Sequence, residues 1–174
     1  MPKLSIRPAG AADIGAIARI YAHAVRFGTA SFELEPPDEA EMARRQRALL
    51  DAGYPYLVAE IDGAVMGYAY AGPYRTRPAY RFTVENSIYI APEAQRRGIG
   101  RALIDRLIPE CEQRNYRLMI AVIGDSAQTP SIELHRAAGF TLVGTFEAVG
   151  YKFDRWLDSV LMQRPLGKGA SSPP

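Results

Sequence analysis

Residues 95–103 read QRRGIGRAL, which puts two glycines and three arginines within positions 95–101, where an apolar stretch gives way to a helical pattern. The N-terminus of a helix carries unpaired N–H groups and a partial positive charge, so it can hold an anion. Glycine has no Cβ and lets a phosphate approach the backbone closely. Neighbouring guanidinium groups add charge-assisted hydrogen bonds. The chemistry on offer is a pyrophosphate cradle; the plain alternative is a solvated basic turn between strand and helix. Two nucleotide patterns fail here. A Walker loop needs Lys-Ser or Lys-Thr after its second glycine, where Arg101-Ala102 stands, and a dinucleotide fingerprint needs glycine or alanine where Leu103 stands.

Glu85 lies in FTVENSIYI, whose alternation puts Glu85, Ser87 and Tyr89 on one face of a strand. A free α-amine has a pKa of ~8 and is mostly protonated at pH 7. A carboxylate can take that proton, directly or through water, or hold the ammonium as a counter-ion. A strand-edge salt bridge to Arg81 or Lys152 is the structural alternative. Arg75 and Arg77 flank Thr76 just before this strand, and guanidinium groups grip carboxylate, phosphinate or sulfonyl oxygens through paired donors. Exposed loop arginines otherwise only aid solubility. His135 sits on a half-apolar helix, where a lone histidine is most often structural, although imidazole is also suited to proton transfer near neutral pH. Cys111, mid-helix and without a basic partner, makes a poor nucleophile.

Short elements must position these groups. LSIRP (4–8) reads as a strand stopped by Pro8, and residues 12–27 place Ile14, Ile17, Tyr21 and Val25 at helical spacing. GTASFELEPP (28–37) is irregular, and 38–50 is a charged helix with Met42 and Leu49 on one side. The period then changes. YLVAEI and AVMGYAY flank Asp62-Gly63, a dipeptide suited to a primed hairpin turn. PYRTRPAYR (73–81) is a loop and FTVENSIYI (82–90) a strand. A helix runs from Gly98 to Asn115, and Pro109 predicts a kink or an early end. RLMIAVI (117–123) suits a strand covered on both faces. Thr129 reads as an N-cap with Pro130 at the first helical position, and Gly139 ends that helix. Strands near 141–149 and 158–164 follow, and the tail GKGASSPP (167–174) is expected to be disordered. With no repeat and no second domain, the order predicts an α/β (α+β) fold in which helices cover both faces of a mixed sheet.

The string Q-R-R-G-I-G after SIYIAPE resembles the acetyl-CoA signature of the GNAT superfamily of N-acetyltransferases, and SIELHRAAGF resembles that superfamily's late helix ending in Gly-Phe. The resemblance spans residues 4–166, and 1–166 is expected to be a single acetyltransferase domain. TASFELEPP (29–37), YRTRPAYRFTVENSIYI (74–90) and GYKFDRWLDSVLMQ (150–163) are similar to phosphinothricin and methionine sulfoximine acetyltransferases. The resemblance implies the GNAT fold, with about seven strands and about four helices. It implies a cytoplasmic, usually dimeric enzyme that acetylates the amine of a small amino-acid-like compound by direct transfer in a ternary complex.

Residue by residue, the resemblance implies that the backbone of Ile88, Tyr89 and Ile90 pairs with the pantetheine arm of acetyl-CoA. Arg96, Arg97, Gly98, Ile99, Gly100 and Arg101 would hold the pyrophosphate. Glu85 and His135 are its implied catalytic residues, His135 standing where many members carry a tyrosine near the coenzyme sulfur. Arg75, Thr76, Arg77, Glu85, Asn86 and Ser87 would touch the acceptor, and Phe32 would cover it or join the dimer surface. Gln128 aligns where the family typically has an asparagine that touches the coenzyme, so the same amide stands on a longer arm.

The chain's bulk properties agree with a soluble enzyme. It has 174 residues, 21 basic against 19 acidic, for a net charge of +2. That balance makes no general case for nucleic acid or a membrane as partner. One cysteine excludes an internal disulfide and fits a reducing compartment, no stretch is apolar enough to span a bilayer, and the N-terminus lacks the apolar core of a secretory signal. No metal is called for. Two competing readings keep the coenzyme. One changes the acceptor to another amino acid, a polyamine or a protein N-terminus. The other is a sensor that binds acetyl-CoA without turnover.

Overall fold

The apolar spacing near the N-terminus produces a helix, α1 (Ile14–Phe27), which buries Ile14, Ile17, Tyr21 and Val25 after a short 3-10 turn at Ala11–Asp13. The computed structural model describes residues 3–174. α2 (Glu39–Asp51) starts where the Asp38 carboxylate accepts a 2.8 Å bond from the Glu41 amide. Around them lie β1 (Leu4–Pro8), β2 (Tyr56–Ile61), β3 (Ala64–Pro73) and β4 (Thr83–Ile90). α3 (Ile99–Gln113), β5 (Leu118–Gly124), α4 (Thr129–Ala137), β6 (Thr141–Lys152) and β7 (Arg155–Pro165) complete the chain. The β2–β3 turn has positive φ at both Asp62 (49°) and Gly63 (87°), as a type I′ hairpin requires.

The seven strands form one mixed sheet in the order β1-β2-β3-β4-β5-β7-β6, with β4 and β5 its parallel pair. Helices cover both faces. On one, Tyr21 of α1 meets Tyr89 of β4 edge-on, and Tyr89 stacks on Tyr68 of β3. On the other, Ile99 of α3 lies against Gly67 and Ile90, and a Cβ at Gly67 would stand only 2.9 Å from Ile90 Cδ1. α3 anchors the sheet through Leu103, Ile104 and Leu107, all fully buried, where truncation to alanine typically costs about 2–5 kcal/mol.

Several local expectations change. α3 runs through Pro109 to Gln113, because burial of Leu107, Ile108 and Cys111 on both sides of the proline outweighs one lost backbone bond. α4 takes Thr129 as its first helical residue, with Gln128 before it making no side-chain cap. β6 and β7 are longer than their apolar runs and meet at Phe153-Asp154, both at positive φ (53° and 55°), a turn that Asp154 suits but Phe153 does not announce. The tail expected to be disordered forms turns: Gly169 is buried, and Arg117 donates to the carbonyl oxygens of Gly169 (3.2 Å) and Pro173 (2.9 Å). No helix among the described residues is long and apolar enough to cross a membrane.

Candidate active site

β4 and β5 pair over four residues only, from Thr83↔Leu118 to Asn86↔Ala121. Beyond that point the strands part, while β4 stays paired with β3 from Ser87↔Tyr70 to Ile90↔Gly67. One edge of Ser87–Ile90 therefore faces a gap with its backbone groups unpaired to β5. Inside a protein such an edge calls for a partner, and an extended ligand arm can supply one. The gap opens into a cleft of about 840 Å³ between the diverging strands and the starts of α3 and α4. Ile88, Tyr89 and Ile90 line it on one side, Val122 and Ile123 on the other, and Arg96, Gly98, Ile99, Gly100 and Arg101 at one end.

That end has the form of an anion seat. Gly98 caps α3 at φ 78°, a conformation that is strained for residues with a Cβ, and nothing lies within 4 Å of where its Cβ would be. Arg96 is also held at positive φ (59°), and Arg96 and Arg97 are both exposed. Arg101 differs from its neighbours: its guanidinium is tied to Asp105 at 2.7 Å and to the Ala137 carbonyl at 3.1 Å. An extended ligand arm with a diphosphate at its end thus fits the unpaired strand edge and the glycine-capped helix start.

His135 and Asn86 meet at the vertex of the split. His135 Nδ1 lies 2.8 Å from the Ser131 carbonyl oxygen, which can only accept, so Nδ1 carries the proton. Nε2 then accepts from Asn86 Nδ2 at 3.0 Å. The imidazole is buried, edge-on to Phe140, and desolvation pushes its pKa down, so it is neutral with both nitrogens occupied. Gln128 lines the cleft, but its amide nitrogen donates to Thr29 Oγ1 (3.0 Å), which in turn donates to the buried Asp125 (3.1 Å).

The other face of β4 carries a second cavity of about 390 Å³, bounded by Glu85, Ser87, Tyr70, Gly72 and, from α2, Arg45 and Leu49. Ser87 borders both cavities, so they meet at β4 just past the vertex. Glu85 makes no salt bridge among the described residues. The two partners considered from sequence are engaged elsewhere: Arg81 lies over the Phe82 ring, and Lys152 donates to the Ser31 carbonyl at 2.7 Å. Burial raises the Glu85 pKa, which suits a carboxylate meant to accept a proton.

Other candidates lie outside the two cavities. Arg75, Thr76 and Arg77 are exposed and border neither, the Arg75 guanidinium lying over the Tyr74 ring at 5.1 Å. Phe32 also borders neither. Its ring fills a slot at the end of β5, where a Cβ on Gly150 would come within 2.5 Å and one on Gly124 within 2.9 Å. The residues sequence reasoning missed are Arg44, Arg45, Leu49 and Tyr70, which wall the second cavity. The signal was only a run of charge in MARRQRALL, whose facing depends on how α2 docks.

A split sheet with an elongated cleft on one face and a small carboxylate-bearing cavity on the other suits an enzyme that brings two substrates together. Residues 17–140 match the acetyltransferase (GNAT) family, and the chain belongs to it. It is 56% identical, over 93% of its length and 82% of the relative's, to phosphinothricin N-acetyltransferase of Alcaligenes faecalis. It is 40% identical to the L-methionine sulfoximine/L-methionine sulfone acetyltransferase of Salmonella typhimurium, over 97% and 98% of the two chains. A crystal structure of a GNAT superfamily phosphinothricin acetyltransferase from Sinorhizobium meliloti in complex with AcCoA superposes with TM-score 0.96 at 50% identity, covering 98% of this chain and 92% of that one.

Proposed function

We propose that this protein is an N-acetyltransferase that moves acetyl from acetyl-CoA to the amine of a small amino-acid-like acceptor of the phosphinothricin, L-methionine sulfoximine or L-methionine sulfone type. Acetyl-CoA supplies an acetyl group already activated as a thioester. The observation that carries the reading is the junction at Ser87 of a cleft sized for an extended coenzyme and a cavity sized for an amino acid, on opposite faces of one strand. Such an arrangement supports direct transfer with both substrates present, and it leaves no role for Cys111, whose thiol burial pushes up to about 12.

In this reading the backbone of Ile88, Tyr89 and Ile90 pairs with the pantetheine arm, and residues 96–101 hold the diphosphate through amides and the free Arg96 and Arg97 side chains. Gln128 borders the same arm. Glu85 accepts the ammonium proton. Asn86 and Ser87 orient the acceptor, and Arg75, Thr76 and Arg77 guide it at the rim, just beyond the cavity-lining Pro73. His135 acts by holding Asn86 rather than by giving a proton. Phe32 secures the loop that closes the end of the cleft.

The protein works as one domain over residues 1–166, in the cytoplasm, as a homodimer. The exposed apolar side chains of β6 and the start of β7, Leu142, Tyr151 and Trp156 among them, support that pairing. A thiol-release screen over methionine sulfoximine, methionine sulfone, phosphinothricin, common amino acids and spermidine tests the function. Release with the first three supports it; release with spermidine alone overturns the acceptor class, and release with none leaves a sensor.

A further inference from the structure

We propose that Arg45 of α2 is the anchor for the acceptor's α-carboxylate, so that the enzyme takes free amino acids and rejects amines whose neighbouring carboxyl is blocked. The inference rests on the reading above and adds a residue that the sequence pattern does not single out.

Three observations carry it. First, Arg45 and Glu85 border the same 390 Å³ cavity, Arg45 from the helix and Glu85 from the strand. A zwitterionic amino acid presents one charge of each sign, a single carbon apart; this wall offers Glu85 for one and Arg45 for the other, while the neighbouring Arg44 is held on Glu41 through two nitrogens. Second, Arg45 is held in place. Its Nε donates to Glu41 at 2.8 Å and its Nη1 to Glu33 at 2.6 Å, and neither carboxylate borders the cavity. Nη2 has no hydrogen-bond partner among the described residues, which leaves a fixed donor pair for an incoming anion. Third, Arg75 and Arg77, whose guanidinium groups the family resemblance implies as acceptor contacts, border neither cavity.

Glu33 ties this anchor to the rest of the site. It belongs to the loop that Lys152 fixes through Ser31, and Tyr21 shares a 2.9 Å bond with the Ser31 hydroxyl. The loop that closes the end of the coenzyme cleft therefore also sets the direction of Arg45. Polyamines, with no anion to offer, would leave the Arg45 Nη2 donors desolvated and without a partner, a cost that falls on every such acceptor.

The test compares L-methionine sulfone with its α-carboxamide in the native protein, Arg45→Gln and Arg45→Lys. Thiol release gives kcat/KM, and calorimetry of the acid on CoA-loaded protein gives binding without turnover. The expected result is that Arg45→Gln weakens the acid about 10- to 100-fold, chiefly in KM, as loss of a paired charge does. The carboxamide, already poor, should change by less than about twofold, with the KM for acetyl-CoA unmoved and Arg45→Lys intermediate. Equal losses for acid and carboxamide would make Arg45 architectural and overturn the proposal, and so would no loss in either. If nothing is acetylated yet the acid binds in an Arg45-dependent way, the anchor stands and the transferase reading falls.

Discussion

Asn86 and Ala121 are the last residues of β4 and β5 that face one another, and everything the site does follows from their being the last. On the near side the sheet is continuous. On the far side β4 offers one bare edge to the cleft. Asn86 sits at that boundary with its amide on His135, while its neighbours Glu85 and Ser87 face the opposite cavity. A single strand therefore borders both cavities, one on each of its faces.

The helix start that caps α3 should be sensitive to one methyl group. Gly98 lies at φ 78° with open space around it, so Gly98→Ala meets backbone strain rather than a clash. The expected stability loss is about 1–2 kcal/mol. Relief of that strain turns the loop amides away from the seat, so acetyl-CoA affinity should fall roughly tenfold, the equivalent of about 1.4 kcal/mol. Calorimetry with acetyl-CoA measures this directly, and an unchanged Kd would place the diphosphate elsewhere.

Glu85→Gln should separate chemistry from coenzyme binding. Loss of a proton acceptor typically costs 10²–10⁴-fold in turnover, roughly, while the Kd for acetyl-CoA should hold. Activity of the native enzyme should rise with pH through a midpoint above the ordinary carboxyl value, because burial favours the protonated form. The same shift has a sign for stability. A raised carboxyl pKa means the folded state holds its proton more tightly, so ionising Glu85 destabilises the fold as pH climbs. Glu85→Gln should melt higher than the native protein at pH 7–8, roughly, with the gain vanishing near pH 4. A variant that melts lower at neutral pH would argue against this.

Much of this was legible in the chain. Asp62-Gly63 announces a turn that needs two positive φ angles, and alternation along FTVENSIYI puts Glu85 and Ser87 on one face, where they share a cavity. The glycine-arginine run predicts a helix start, and α3 begins there. What local pattern could not carry is approach between distant elements. Arg45 becomes a wall of the second cavity only because α2 docks near β3 and β4, and the helical period of MARRQRALL is the same whichever way it docks. Pro109 does not end α3 for a related reason: propensity is local, whereas the burial that overrides it comes from the sheet.

His135 should prove to be a positioning residue. Its neutral Nδ1–H form holds the Asn86 amide, so His135→Phe leaves a buried donor unsatisfied, at about 1–3 kcal/mol. Its lowered pKa means the folded state resists a proton that the unfolded chain takes up near pH ~6.5. The contribution is present above that pH and lost as pH falls through it, so the gap between native and variant should shrink in acid. Turnover should drop with the misplaced vertex while the pH-rate profile keeps its shape. Disappearance of a basic limb in His135→Phe would restore the acid role to the imidazole.

The face of β6 bears on assembly. Leu142 of β6 and Trp156 of β7 are 61% and 65% exposed, and Tyr151, paired with Trp156, lies on the same face by the strand register at the end of the sheet. An edge strand with apolar side chains is unstable against association unless something covers it, and a patch of this kind normally marks an interface. A second copy of the chain is the expected cover. Light scattering should then give twice the 19.2 kDa chain mass for the native protein. The double variant Leu142→Glu, Trp156→Glu should shift it to a monomer, because charges there stay hydrated only when the face is free. Both positions are more than half exposed, so the isolated fold should tolerate them. A native protein that scatters as a monomer at micromolar concentration would leave the patch without this partner.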